Sequence, residues 1–272
     1  MKNRSDVLIF VLSKNACIMK KNMFLFFLLA CTLHVSASSL NQFGNDTNKT
    51  DAANKKQGVW KESNLDITAC GNYVDDRKEG IWTAHYPTGI IAYLDTYHNG
   101  LKNGISITID RNGNYLGEGH YEGGELNGLS RTFYPGGREK AEMHYKNGKL
   151  DGLRKIYSMD GTLEEEGVYR NDVKDGLFKW YYSNGKPNTE SVYRNGGIEG
   201  TQVTYYKSGA KESESVYKNN IRQGPYKEYY ETGKIKTEGQ FAEDLEEGSW
   251  TLFDETGKQH HVKYKKGQEL KK

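Results

Sequence analysis

A glycine recurs every 24 residues along most of this chain, and this period restricts the possible folds more than any other feature. The recurring glycines are Gly80, Gly104, Gly128, Gly152, Gly176, Gly200, Gly224 and Gly248. A second glycine follows nine residues after each, and an aromatic residue follows 17 residues after all but the last. A fixed period of this size is typical of repeat proteins, in which each unit packs only against its neighbours.

Each repeat has the composition of a β-hairpin. After Gly176, the segments 177–182 and 189–193 are short, contain aromatic residues and lack a helical period. Between them, the loop 183–185 has glycine third, and some repeats have proline first, which fits a type I turn followed by a left-handed glycine. The sequence therefore predicts an all-β fold, an elongated repeat array of stacked antiparallel β-hairpins.

The loop also predicts which side chains share a face of the sheet. We number each repeat from its opening glycine, which is position 0. Pairing of Tyr182 with Lys186 would place the odd positions on one apolar face, including Leu177, Tyr181 and Tyr193. Tyrosines at position 6 would then lie on the other, more exposed face. We take them as a candidate contact strip, consisting of Tyr86, Tyr134, Tyr182, Tyr206 and Tyr230.

Two other columns of residues follow the same period. Position 15 is small in most repeats, which would leave room for aromatic rings to lie over the backbone: Gly119, Gly167, Ser191, Ser215 and Gly239. Position 14 holds glutamate at Glu118, Glu142, Glu166, Glu190, Glu214 and Glu238. We interpret the glutamates as a solvated face that keeps the sheet soluble, with a cation-binding strip as the alternative.

The first 37 residues resemble a bacterial secretory signal peptide, with a basic segment from Met19 before the apolar run 23–30. Met19 is an alternative start of the protein. The sequence Leu-Leu-Ala-Cys resembles a lipobox, in which Cys31 would be lipidated, and cleavage after Ala37 is the alternative. The apolar run is shorter than the roughly 20 residues of a membrane span. We therefore expect export to the cell envelope, as a membrane-anchored lipoprotein or a periplasmic or secreted protein.

The rest of the chain divides into three parts by composition. Residues 38–57 form a polar tether, and residues 58–79 are a degenerate repeat that we interpret as the N-terminal cap. Residues 80–272 hold eight repeats and end in a C-terminal cap.

Composition and motifs argue against several classes of function. The formal net charge is only +2 with no basic domain, which argues against a nucleic-acid partner. His120 and His144 are one period apart, about 9.6 Å between equivalent strands, too far to share one zinc easily. A repeat array copies each residue type along its length, whereas catalysis needs a unique constellation. We expect a protein that is not an enzyme and that uses no metal or cofactor.

The pattern Tyr-x-Asn-Gly-x-x-x-Gly, followed by an aromatic pair and x-x-Gly, resembles the MORN repeat in its bacterial variant. One copy consists of Tyr193, Asn195, Gly196, Gly200, Tyr205, Tyr206 and Gly209, and the resemblance covers about residues 58–267. It implies an elongated antiparallel sheet of stacked hairpins that contacts proteins or membrane lipids. Some bacterial proteins of this variant are labelled antitoxins, so the resemblance also implies that role. Asp172, Asn220 and Asp244 replace the turn glycine, and their side chains tolerate the left-handed conformation.

Together these features predict an exported binding or scaffold protein without catalytic activity, whose aromatic-rich β surface contacts an unidentified protein partner. The alternatives are a cell-wall or glycan-binding surface protein and an antitoxin-like inhibitor of a partner protein. A glycan or a membrane lipid is the alternative partner.

Overall fold

A computed structural model describes residues 47–270, which form twenty β-strands in one antiparallel sheet. The strands are β1 Lys49–Thr50, β2 Lys56–Ser63, β3 Thr68–Val74, β4 Arg77–His85, β5 Ile91–His98, β6 Leu101–Ile109, β7 Tyr115–Glu122, β8 Glu125–Phe133, β9 Glu139–Lys146, β10 Lys149–Tyr157, β11 Leu163–Arg170, β12 Val173–Tyr181, β13 Pro187–Arg194, β14 Gly197–Tyr205, β15 Lys211–Lys218, β16 Ile221–Tyr229, β17 Ile235–Ala242, β18 Leu245–Phe253, β19 Gln259–Lys265 and β20 Gln268–Glu269. None of these residues belongs to a helix that is long and apolar enough to cross a membrane.

Every strand pairs with the next strand in the sequence, from β1 to β20, so the sheet is a continuous series of stacked hairpins. This confirms the predicted all-β repeat array. The region predicted as a polar tether, 38–57, already contains β1 and the start of β2. The predicted signal peptide and Cys31 lie outside the described residues.

The three-residue loops have the predicted geometry. The Tyr182 N–H donates to the Lys186 carbonyl and the Gly185 N–H donates to the Tyr182 carbonyl, both at 2.8 Å. Gly185 has φ of 78°, the left-handed conformation expected for the third loop residue. The other end of each hairpin turns at two residues with positive φ, such as Asn195 at 49° and Gly196 at 83°.

The three residues that replace the turn glycine keep its conformation. Asp172, Asn220 and Asp244 have φ between 67° and 68°, as predicted for residues that tolerate the left-handed region. Their side-chain oxygens also accept a backbone N–H from the preceding hairpin, as Asp172 does from Leu150 at 2.7 Å. The polar side chain therefore links neighbouring hairpins in addition to forming the turn.

The opening glycine lies inside a strand, where the ladder is bulged. In β12, Phe178 pairs with Gly167 and Lys174 pairs with Tyr169, so three residues of β12 lie opposite the single residue Val168. Gly176 is the middle one of these three and has φ of 135°. The repeated glycine is therefore needed for a backbone conformation that other residues rarely adopt.

The predicted assignment of side chains to faces is wrong for the first strand of the seven hairpins from β4–β5 to β16–β17. Tyr181 pairs with Pro187, but Trp180 pairs with Thr189, so Asn188 is an extra residue in β13. Because side chains alternate along a strand, one extra residue reverses the parity of the first strand relative to the second. The sequence argument counted only the loop residues and missed this second bulge.

The two faces of the sheet differ in burial. Phe178 at position 2 is 0% exposed, whereas Leu177 at position 1, which was predicted to lie on the apolar face, is 45% exposed. We call the side with positions 2, 4 and 6 of the first strand and 13, 15 and 17 of the second the aromatic face. The opposite side, with positions 1, 3, 5, 14 and 16, is the charged face. Ser191 and Tyr193 lie on the aromatic face as predicted, but Leu177 and Tyr181 lie on the charged face.

The small residues at position 15 accommodate the rings that form the core. A Cβ atom on Gly167 would lie 2.2 Å from the ring of Phe178 in the next hairpin. The same arrangement places Trp82 over Gly71 and Trp250 over Gly239, at 2.3 and 2.1 Å from the equivalent Cβ positions. This confirms the prediction that rings lie over the backbone at position 15.

Candidate binding surfaces

Rows of aromatic rings pack edge to face along the aromatic face. Phe178 has its ring centroid 5.3 Å from that of Tyr169 and 5.0 Å from that of Tyr193. Near the N-terminal end of the sheet, Tyr73 contacts Trp82 in the same way at 5.2 Å. These arrangements stabilise the sheet beyond the burial of the rings alone.

Basic side chains lie over several of these rings. Lys78 Nζ is 3.8 Å from the Trp82 ring centroid, Lys174 Nζ is 4.6 Å from that of Phe178, and Arg222 Cζ is 3.9 Å from that of Phe241. Cation–π attraction favours this geometry. We missed this feature in the sequence, although a lysine or arginine stands two residues before the opening glycine in four of the eight repeats.

The tyrosines of the contact strip lie on the aromatic face. Tyr86, for example, packs against the buried cluster that contains Trp82 and Ala84. The Tyr182 hydroxyl donates to the Tyr205 carbonyl in the next repeat at 2.6 Å. Equivalent bonds join Tyr86 to Ile109, Tyr134 to Tyr157, Tyr206 to Tyr229 and Tyr230 to Phe253, at 2.7 to 3.1 Å. The rings are half-buried rather than exposed, and each is fixed against the next repeat. Asp110 and Ser158 occupy position 6 in two intervening repeats, so only Tyr182, Tyr206 and Tyr230 form an uninterrupted row.

The glutamates of position 14 lie on the charged face, and five of the six have a basic or tyrosine partner there. Arg131 Nη2 is 2.6 Å from Glu118, and Lys179 Nζ is 3.2 Å from Glu190. The Tyr181 hydroxyl donates to Glu166 at 2.7 Å. The prediction of a simply solvated row is wrong, because the reversed parity places basic and tyrosine side chains beside these carboxylates. No group of three or more metal-binding side chains within residues 47–270 is arranged to hold an ion.

Burial raises the pKa of several tyrosines on both faces, and neighbouring carboxylates add to this effect. The pKa of Tyr181 is raised by burial and then by its hydrogen bond to Glu166. Burial and the nearby charge of Asp95 raise the pKa of Tyr97 from 10.0 to about 12. A tyrosinate beside a carboxylate is disfavoured because both groups are negative.

These shifts predict that the sheet loses stability in alkali. In unfolded chains tyrosine loses its proton near pH 10.0, whereas folded Tyr97 keeps it until about pH 12. The contribution of Tyr97 to the free energy of unfolding is therefore fully present below pH 10 and is lost as pH rises through about 12. Denaturant titrations between these pH values should show a falling free energy of unfolding, with a shallower fall in Tyr97→Phe. An identical slope in both proteins would contradict this assignment.

A family model described as the MORN repeat variant matches the chain in four segments, residues 78–99, 174–195, 198–219 and 222–243. Each matched segment begins two residues before an opening glycine and ends at the first residue of the following two-residue turn. The first two matches are separated by residues 100–173, and the later ones by two residues each. No curated protein matches the chain. The matched positions coincide with stacked hairpins of the sheet, so the chain contains repeats of the MORN variant at these four places.

Proposed function

We propose that this protein is an exported, non-catalytic binding or scaffold protein that contacts a protein partner through its aromatic face. The observation that supports this function best is the contact strip, a row of half-buried tyrosines in which Tyr182, Tyr206 and Tyr230 occupy three successive repeats. Their rings recur two strands apart, about 9.6 Å. A partner would therefore meet several similar contacts along one line.

The rigidity of the strip favours binding. Each hydroxyl is held by a carbonyl of the next repeat, so Tyr182 and Tyr206 lose little conformational freedom when a partner covers the rings. Aromatic side chains with polar neighbours are enriched in protein interfaces and contribute much of their binding energy. The three-residue loops beside the strip are exposed and add polar contacts at its edge.

The triple variant Tyr182→Ala, Tyr206→Ala, Tyr230→Ala is expected to lose most capture of the partner, because energetically important interface residues are often aromatic. The matched Tyr→Phe triple variant keeps the rings and should retain capture, although it loses three hydrogen bonds of about 0.5–1.5 kcal/mol each. Quantitative pull-downs from envelope extracts, together with a glycan array, measure these effects.

A control on the charged face separates binding from general damage to the sheet. Leu177 and Val192 form a cross-strand pair there and are 45% and 42% exposed. Leu177→Ala with Val192→Ala should leave capture unchanged. Equal loss in this control, or capture of glycans or lipid vesicles in place of protein, would overturn the proposed use of the aromatic face.

Export remains a prediction from the sequence, since Cys31 lies outside the described residues. Cys31→Ala is expected to abolish lipidation and to release the protein from the membrane fraction of a bacterial host. Fractionation and mass spectrometry of the mature N-terminus measure this. Unchanged membrane association with the same mature N-terminus would favour cleavage after Ala37 instead.

A further inference from the structure

The two ends of the sheet differ in how their outer edges are covered. At the N-terminal end, β1 pairs with Lys56 and Gln57 of β2. The Asn48 side-chain amide occupies both outward groups of Lys61, since its Oδ1 accepts the Lys61 N–H at 2.7 Å and its Nδ2 donates to the Lys61 carbonyl at 3.1 Å. The Asn48 N–H also donates to the Val59 carbonyl at 3.0 Å. Partners within the same chain therefore cover this edge of β2.

At the C-terminal end, the outer edge of β19 is covered only in its last part. β20 pairs with the last two residues of β19, and the Leu270 N–H donates to the Lys263 carbonyl at 2.8 Å. Because the backbone groups of every second residue point to the same side of a strand, those of Gln259 and His261 also point outwards. They have no backbone partner within residues 47–270, and both residues are exposed.

The last hairpin also lacks the bulge that interrupts most of the others. In the seven hairpins from β4–β5 to β16–β17, an extra residue such as Asn188 shifts the pairing. In β18–β19 the pairing runs without a shift from Gly248 with Tyr264 to Phe253 with Gln259. Bulges bend an edge strand and hinder the addition of another strand. The open segment of β19 therefore has a regular backbone that can accept one.

The side chains along this edge are mainly basic. Residues 258–267, which lie between Glu255 and Glu269, include four lysines, two histidines and no acidic residue. None of the four lysines forms a salt bridge within the described part of the chain. Lysines on an edge strand repel a second copy of the same edge, which is one way in which proteins keep their sheets apart. The same charges attract an acidic segment.

We propose that the edge of β19 binds an extended acidic segment of a partner protein as an additional strand. The backbone groups of Gln259 and His261 would form the hydrogen bonds, and the lysines would select negative charge. A second copy of the chain fits poorly, since its own β19 carries the same charges and its β2 edge is covered at Lys61. This surface uses backbone groups and not the tyrosine rings, so the proposal is independent of the contact strip.

The peptide acetyl-(Glu-Val)3-Glu-amide tests the proposal when it is titrated into the intact protein labelled with nitrogen-15. We expect saturable amide shifts at Gln259, His261 and Lys263, and about tenfold slower hydrogen exchange at the His261 amide at saturation. Acetyl-(Lys-Val)3-Lys-amide has the opposite charge, and acetyl-(Glu-Pro)3-Glu-amide keeps the negative charge but cannot form a regular strand. Neither control peptide should slow this exchange.

His261→Pro removes one outward N–H of the edge. This N–H takes no part in the pairing with β18, so the fold should survive. We expect about tenfold weaker binding of the glutamate peptide, because a hydrogen bond is lost and the proline ring obstructs the edge. His261→Ala is the matched control, since it removes the side chain but keeps the N–H, and should bind as the wild-type protein does.

The proposal is wrong if the glutamate peptide gives no saturable shifts, if His261→Pro binds it unchanged, or if the proline peptide slows exchange equally. Should His261→Pro fail to fold, the double variant Lys263→Glu, Lys265→Glu provides the second test. It must weaken binding of the glutamate peptide and strengthen binding of the lysine peptide, because it reverses the charge along the edge.

Discussion

Phe178→Ala is expected to destabilise the sheet by about 3–5 kcal/mol, in the range measured for fully buried aromatic residues. Its side chain is 0% exposed and lies over Gly167, between the rings of Tyr169 and Tyr193, with Lys174 Nζ above it. Alanine would leave a cavity in a layer only one sheet thick, and Lys174 would lose a cation–π contact. Chemical denaturation measures the global effect, and hydrogen exchange of β11 to β13 shows whether the loss is local.

Leu177→Ala is the matched control for this prediction. Leu177 precedes Phe178 in the same strand but lies on the charged face and is 45% exposed. Its truncation should change the free energy of unfolding by no more than about 0.5 kcal/mol, as for most surface substitutions. Comparable losses in both variants would show that the charged face is also buried, as in a sheet covered by a second copy of the chain.

The features predicted correctly from the sequence are those that depend on local backbone conformation. Gly185 identifies a left-handed loop residue, and Asp172 identifies a turn that tolerates positive φ, because few residue types satisfy these conformations. The 24-residue period then predicts how the hairpins are arranged, since a hairpin repeated without interruption can bury its rings only against the next copy. For these reasons the repeat array followed from the sequence.

The assignment of side chains to the two faces was wrong because it depended on how the two strands of a hairpin pair beyond the loop. The pairing of Tyr182 with Lys186 was predicted correctly, but the extra residue Asn188 leaves no clear composition signal. Ring size at position 2 was the available signal: Trp82, Phe178, Tyr226 and Trp250 are among the largest side chains in their repeats. Large rings opposite a glycine column indicate the buried face, because only glycine lets them lie on the backbone.

The candidate sites were predictable only in part. The sequence identified the row of tyrosines, but the bond from Tyr182 to a carbonyl of the next repeat requires knowledge of how adjacent hairpins align. The contact of Phe178 with Gly167 likewise depends on pairing across strands with a residue 11 positions earlier. Properties that arise between repeats are thus less visible than properties within one repeat.

Gly167→Ala is expected to destabilise the protein by about 1–3 kcal/mol, the usual cost of overpacking a filled core. The added methyl group would lie 2.2 Å from the ring of Phe178, which is buried and cannot move aside without breaking its contacts with Tyr169. Because the φ of Gly167 is not positive, the loss would come from this contact and not from backbone strain.

Gly197→Ala provides the control, since Gly197 is also a strand glycine without positive φ. A Cβ there would meet Asn220 Nδ2 at 3.4 Å, an ordinary contact, so the change should be neutral or stabilise the sheet by about 0.4–1 kcal/mol through reduced entropy of the unfolded chain. Thermal and denaturant unfolding of both variants give the comparison. If Gly167→Ala were as stable as Gly197→Ala, the ring of Phe178 could not rest on the backbone as described.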